Sequence, residues 1–350
     1  MKINKHILPN GLRLVHYQDL STQMVALNIV YDVGARDEDP EHTGFAHLFE
    51  HLMFGGSVNI PDYDAPLQSA GGENNAWTNN DITNYYLTVP KSNVEIGFWL
   101  ESDRMLELAF SEQSLEVQRG VVMEEFKQRC LNQPYGDVGH LIRSLAYEVH
   151  PYRWPTIGKD LSHIEQATLE EVKSFFYRFY APNNAVLAVT GNISWEEAVR
   201  LTEKWFGLIP RRNVPVRQLP QEPVQTQERR QVVKRPVPLD ALFMAFHVCS
   251  REHPDYYAFD IKFAFIFRVK IQQNFPLQCP RFQTESTIHA CFFILRNQSL
   301  QRTVLQAIIF QHCHDSSNTQ TIISSQRCTF SFYPITIDIG FNRIFCKIVN

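Results

Sequence analysis

Apolar positions along the first 260 residues switch between a period of two and a period near 3.6, and the switches lay out the elements. Residues 2–8 and 12–16 lean apolar on either side of Asn10-Gly11, a dipeptide that predicts a hairpin. Residues 25–33, Val-Ala-Leu-Asn-Ile-Val-Tyr-Asp-Val, predict a buried strand. From 43 to 54 the spacing turns helical and stops at Gly55-Gly56, a good C-terminal signal. Residues 74–89 read as one strand through Thr78, Ile82, Tyr85, Tyr86 and Val89. Helices are predicted over 94–108, 111–128, 169–179 and 194–206, with a strand at 185–191. Strands mixed with helix pairs, rather than strict alternation, predict an α+β fold.

Pro210, Pro215, Pro220, Pro223, Pro236 and Pro238 then punctuate a polar stretch rich in Gln and Arg, the composition of a linker. A strand at 239–248 and a helix from 254 restart the pattern. This predicts a first domain over 1–215, a Pro-rich linker over 216–230 and a second domain from 231 to 350. A length of 350 residues, 44% of them apolar, supports about two cores of ordinary size.

Charge and composition narrow the function classes. The net charge is -4 with no basic stripe, which argues against nucleic acid as the main partner. No stretch reaches membrane-spanning length, and the N-terminus lacks the basic start and apolar run of a signal peptide, so a soluble, cytoplasmic protein is expected. The averages hide a break. Residues 261–350 hold one of the 15 glycines, three of the 37 acidic residues, five of the seven cysteines and 12 of the 25 phenylalanines. A shifted reading frame would produce such a change, and a divergent second half is the rival account. His312-Cys313-His314 lies in this tail, but three consecutive residues do not face one ion, so it reads as an incidental run.

Candidate chemistry sits in the helix predicted at 43–54. His47-Leu-Phe-Glu50-His51 places His47, Glu50 and His51 at i, i+3 and i+4 on one face. Two imidazoles one turn apart can grip one zinc ion, whose catalytic sites take three protein ligands and keep a position for water. Glu50, not needed as a ligand, is placed to take a proton from that water. The helix predicted at 111–128 offers Glu116, Glu124 and Glu125 as the third ligand, and spacing alone does not choose among them.

The surrounding segments resemble the inverted-zincin peptidases of the pitrilysin and insulinase family, M16. The resemblance runs through Leu8-Pro-Asn-Gly-Leu-Arg-Leu, Gly34-Ala-Arg-Asp-Glu, Thr43-Gly-Phe-Ala-His-Leu-Phe-Glu-His-Leu-Met-Phe-Gly-Gly-Ser, Gly71-Gly-Glu-Asn-Asn-Ala-Trp-Thr-Asn-Asn-Asp, Arg119-Gly-Val-Val-Met-Glu-Glu, Tyr180-Ala-Pro-Asn-Asn-Ala and Val189-Thr-Gly-Asn-Ile, to about Asp260. It implies two similar domains, each an antiparallel-rich sheet packed with helices, the second incomplete here. It implies that His47, His51 and Glu125 bind zinc, that Glu50 is the general base, and that Asn75 and Ala76 lie on an edge strand that pairs with a substrate backbone. Two departures stand out. Gln118 replaces a family Glu two turns before the ligand, leaving a neutral amide behind the metal site. After Asp260 the expected Gly-rich turn is missing.

The resulting expectation is a zinc-dependent endopeptidase acting on peptides or unfolded segments. The alternative is a non-catalytic partner subunit or an inactive fragment. Dimerisation, or pairing with a second chain of the family, would supply a missing half-shell.

Overall fold

The computed structural model describes residues 2–257, 288–295, 302–311 and 344–349. It divides into two compact units, Met1–Glu222 and Pro223–Asn350.

The first unit is built on a six-stranded sheet in the order β1-β2-β6-β3-β5-β4. The strands are β1 (Asn4–Ile7), β2 (Arg13–Gln18), β3 (Met24–Tyr31), β4 (Glu73–Thr78), β5 (Thr83–Pro90) and β6 (Ala185–Gly191). Of its five neighbouring pairs only β2 and β6 run parallel. Period-two alternation sends Val25, Leu27, Ile29 and Tyr31 of β3 inward with Tyr85, Leu87 and Val89 of β5 and Leu187 and Val189 of β6. The helices are α1 (Phe45–Leu52), α2 (Asp64–Ser69), α3 (Val94–Leu106), α4 (Glu112–Phe126), α5 (Val138–Ala146), α6 (Leu161–Glu165), α7 (Leu169–Phe179) and α8 (Trp195–Phe206). α3 lies on β3 and β5, and α8 lies on α3 and β2. A Cβ at Gly97 would stand 2.9 Å from the Leu87 side chain and 3.3 Å from that of Leu27, so a side chain there would force these core residues to shift. α1 packs against α4, α7 and the edge strand β4, which sets the position of the site.

The fold is the α+β arrangement expected, but one predicted strand is two. Residues 74–89 form the hairpin β4–β5, broken at 79–82. The Asn79 side chain accepts hydrogen bonds from the amides of Asp81 (2.7 Å) and Ile82 (2.9 Å), an Asx turn with no glycine to signal it. The opening hairpin, the strand at 185–191 and the helices at 169–179 and 194–206 form close to the expected residues. The short helices α2, α5 and α6 were not foreseen.

The Pro-rich stretch is partly bound to the first unit. Arg217 donates to Asp37 (2.6 Å) and to the backbone carbonyl of Asp32 (2.8 Å). Glu222 accepts from the amides of Glu148 (2.7 Å), Val149 (3.1 Å) and His150 (2.9 Å). The division between units falls directly after it, inside the predicted 216–230.

The second unit contains a five-stranded sheet in the order β7-β11-β8-β10-β9. Its strands are β7 (Arg229–Lys234), β8 (Ala241–Cys249), β9 (Ile288–Leu295), β10 (Arg302–Gln311) and β11 (Ile344–Val349). Here β7 and β11 run parallel and the other pairs antiparallel. His312-Cys313-His314 and most of the compositionally odd tail lie outside the described residues, as does most of the helix expected from 254. Among the described residues no helix is long and apolar enough to cross a membrane.

Candidate metal centre

α1 starts without a side-chain cap of its own. Gly44, at φ +91°, turns the chain into the helix from the left-handed region, where glycine is favoured. The cap comes from Glu38, whose carboxylate accepts the amides of Gly44 (3.0 Å) and Ala46 (2.9 Å) and the Trp154 indole N–H (3.1 Å). Negative charge at a helix N-terminus is favourable, yet burial dominates and pushes the Glu38 carboxyl up to about 8. Phe45, Leu48, Phe49 and Leu52 fill the core side of α1. The Phe49 ring stacks on Tyr180, with centroids 5.1 Å apart. With its apolar side fixed in this way, the His47–Glu50–His51 side turns toward α4.

The packing of α1 on α4 brings Glu125 to the two histidines. Glu125 Oε2 lies 3.4 Å from His47 Nε2 and 3.4 Å from His51 Nε2. The two imidazoles stand edge to face, with centroids 4.9 Å apart. One ligand atom from each of the three residues falls within 4.8 Å of the others, the only such group among the described residues. Tetrahedral zinc, with bonds of about 2.0–2.2 Å, holds neighbouring ligand atoms roughly 3.3–3.5 Å apart, so both His–Glu separations suit it. Two imidazoles and one carboxylate are also a donor set of catalytic zinc sites, with a fourth position left for water. His47 is buried, and burial pushes its pKa down to about 4 against the attraction of Glu125. The shift favours the uncharged ring, the form that binds metal.

Glu50 stands on the same face of α1, half-buried. Burial raises its pKa, with the Thr78 hydroxyl and His51 opposing the shift. The other acids considered for the third position turn elsewhere. Glu124 is exposed and pairs with Lys127, and Glu116 is exposed and pairs with Arg119. Gln118 is half-buried on α4, seven residues before Glu125 and therefore on the same side. Asn75 and Ala76 lie on β4, the outer strand of the sheet, paired to Tyr86 and Tyr85 of β5. The Ala76 amide is bonded to the Asn75 side-chain oxygen at 2.8 Å.

Three further residues act on this site and were not singled out in the sequence. Glu38 caps α1, Thr78 lies beside Glu50, and Arg129 forms an ion pair with Glu125 at 2.9 Å. The i, i+4 spacing of Glu125 and Arg129 was a legible signal for the last of these. The other two depend on chain segments that meet only in the folded protein.

Comparison with known proteins agrees with the fold. Residues 13–158 match the family model described as "Insulinase (Peptidase family M16)", and residues 166–316 match "Peptidase M16 inactive domain". The second match continues the likeness beyond Asp260, where the recognisable motifs end. The chain is 31% identical over 261 residues to the zinc protease PqqE of Helicobacter pylori, covering 72% of this chain and 58% of that protein. It is 27% identical over 207 residues to the uncharacterized zinc protease YmxG of Bacillus subtilis, covering 59% of this chain and 50% of that one. The chain thus spans about half the length of the curated relatives it matches. The crystal structure of a protease from Helicobacter pylori superposes with a TM-score of 0.76 at 27% identity, covering 89% of this chain and 75% of that chain. With the two family matches following one another along the sequence and the fold shared with a solved protease, the chain belongs to the insulinase family of peptidases, M16.

Proposed function

We propose that the chain is a zinc-dependent endopeptidase acting on peptides or unfolded polypeptide segments. The observation that carries this reading is the meeting of His47 Nε2, His51 Nε2 and Glu125 Oε2 beside Glu50. His47, His51 and Glu125 would hold the ion. Bound zinc supplies Lewis acidity, polarising a peptide carbonyl and lowering the pKa of water to about 7. Glu50 takes the proton from the attacking water and returns it to the leaving nitrogen. Burial raises its pKa, which makes it a stronger proton acceptor. β4, at the sheet edge beside α1, can hold an extended peptide by main-chain hydrogen bonds, and Asn75 would give up its bond to the Ala76 amide as the peptide binds.

Glu50→Gln should retain about one zinc per chain and lose peptide hydrolysis by roughly 10²–10⁴-fold, the usual worth of a general base. His51→Ala should lose the metal by elemental analysis. Hydrolysis in Glu50→Gln equal to that of the parent would refute the assignment. A second reading, a non-catalytic partner subunit, is favoured by one observation: residues 166–316 match a domain described as inactive. Zinc without chelator-sensitive hydrolysis in the parent chain would select it.

A further inference from the structure

The metal-facing oxygen of Glu125 is Oε2, and its other oxygen is also engaged. Oε1 forms an ion pair with Arg129 Nη2 at 2.9 Å. Arg129 lies just past the point where α4 gives way to a π-helical turn over Lys127–Leu131. Such turns are rare and occur often at functional sites. Glu125 and Arg129 are four residues apart, so their side chains share the face turned to α1. The Gln133 amide in turn holds the Arg129 carbonyl at 2.5 Å, tying down the backbone of the turn.

We infer that Arg129 is a positioning residue of the zinc site, its guanidinium holding Glu125 Oε1 so that Oε2 alone faces the two imidazoles. The inference rests on the zinc reading proposed above. A glutamate free to rotate could offer both oxygens or swing into solvent. An ion pair with one oxygen selects the arrangement in which the other meets His47 and His51 together. The neutral Gln118, on the same face of α4, brings no charge to this task. The guanidinium itself is 68% exposed, and exposed pairs of this kind add little to folding stability. Metal affinity and folding stability should therefore separate in a variant.

The test is zinc affinity of the full chain, measured by competition with a chromophoric chelator, together with the Tm of the metal-free protein. Arg129→Ala should weaken zinc about tenfold, the lower end for groups that orient a metal ligand. Its metal-free Tm should stay within about 1 °C of the parent. Arg129→Lys should recover most of the affinity. Lys127→Ala, which removes the neighbouring exposed pair to Glu124, should match the parent. Unchanged affinity in Arg129→Ala would overturn the inference. So would a loss of affinity that comes with a lowered metal-free Tm and is not restored by Lys, because the role would then be structural. A parent chain that binds no zinc would overturn the proposed function itself, and this inference with it.

Discussion

His150 is 2% exposed, accepts the Tyr152 amide at Nδ1 (3.2 Å) and packs edge-on against the Tyr152 ring at 4.4 Å. Burial pushes its pKa down to about 4, with Glu222 opposing the shift. In the unfolded chain the imidazole takes up its proton near pH 6.5, whereas in the folded chain it does so only near 4. The unfolded state therefore binds more protons between these values, and stability falls as pH drops through this window. The loss should be on the order of 2 kcal/mol. His150→Asn keeps an acceptor for the Tyr152 amide and removes the titrating ring. Its Tm should fall less than the parent's between pH 7 and pH 4.5, and equal falls would show that His150 is not the group responsible. The same burial logic acts on His47, where the uncharged ring suits the metal site proposed above. The residue types needed for that chemistry were legible from spacing alone. The burial that lowers the pKa of His47 was not, because it is created by side chains distant in sequence.

At the scale of elements, α1 is a short helix whose N-terminal amides depend on a carboxylate outside it. Replacing Glu38 by Ala would leave the buried amides of Gly44 and Ala46 without their acceptor, while the Trp154 indole would keep its bond to the Ala35 carbonyl (3.0 Å). The expected cost is about 2–4 kcal/mol, seen as a lowered denaturation midpoint, and zinc affinity should fall because α1 carries two of the three donors. A midpoint unchanged from the parent would mean that water or a neighbour takes over the cap. α7 was legible to the residue, since the capping box of Thr168 and Glu171 marks its start and an unbroken apolar stripe runs to Phe179. The β4–β5 hairpin was not. Its turn is closed by an Asn side chain, and the apolar alternation passes through residues 79–82 as though the strand continued. α2 and α6 escaped notice for a related reason. At six and five residues they are too short to show a periodicity of their own. α5 does carry a helical signal, with Val138, Leu141, Ile142, Leu145 and Ala146 at i, i+3, i+4, i+7 and i+8, which the reading above leaves out.

At the scale of the whole chain, the principal core runs from Leu8 to Ile209 and is contained within the first unit. All of the metal-site residues lie there too. A chain ending at Glu222 should therefore unfold cooperatively and retain about one zinc, measured by calorimetry and elemental analysis. Loss of zinc from that well-folded piece would show that the second unit is needed to form the centre. The sequence by itself determined that His47, Glu50 and His51 share one face, because 3.6 residues per turn align i, i+3 and i+4 wherever a helix forms. It also determined the α+β class, through the switching of hydrophobic period. Only the tertiary structure decided which acid joins the histidines, since Glu116, Glu124 and Glu125 share one helix and differ only in the face they present to α1. Their facing depends on how α4 packs on α1, and that packing joins residues whose distance along the chain carries no information about their distance in space.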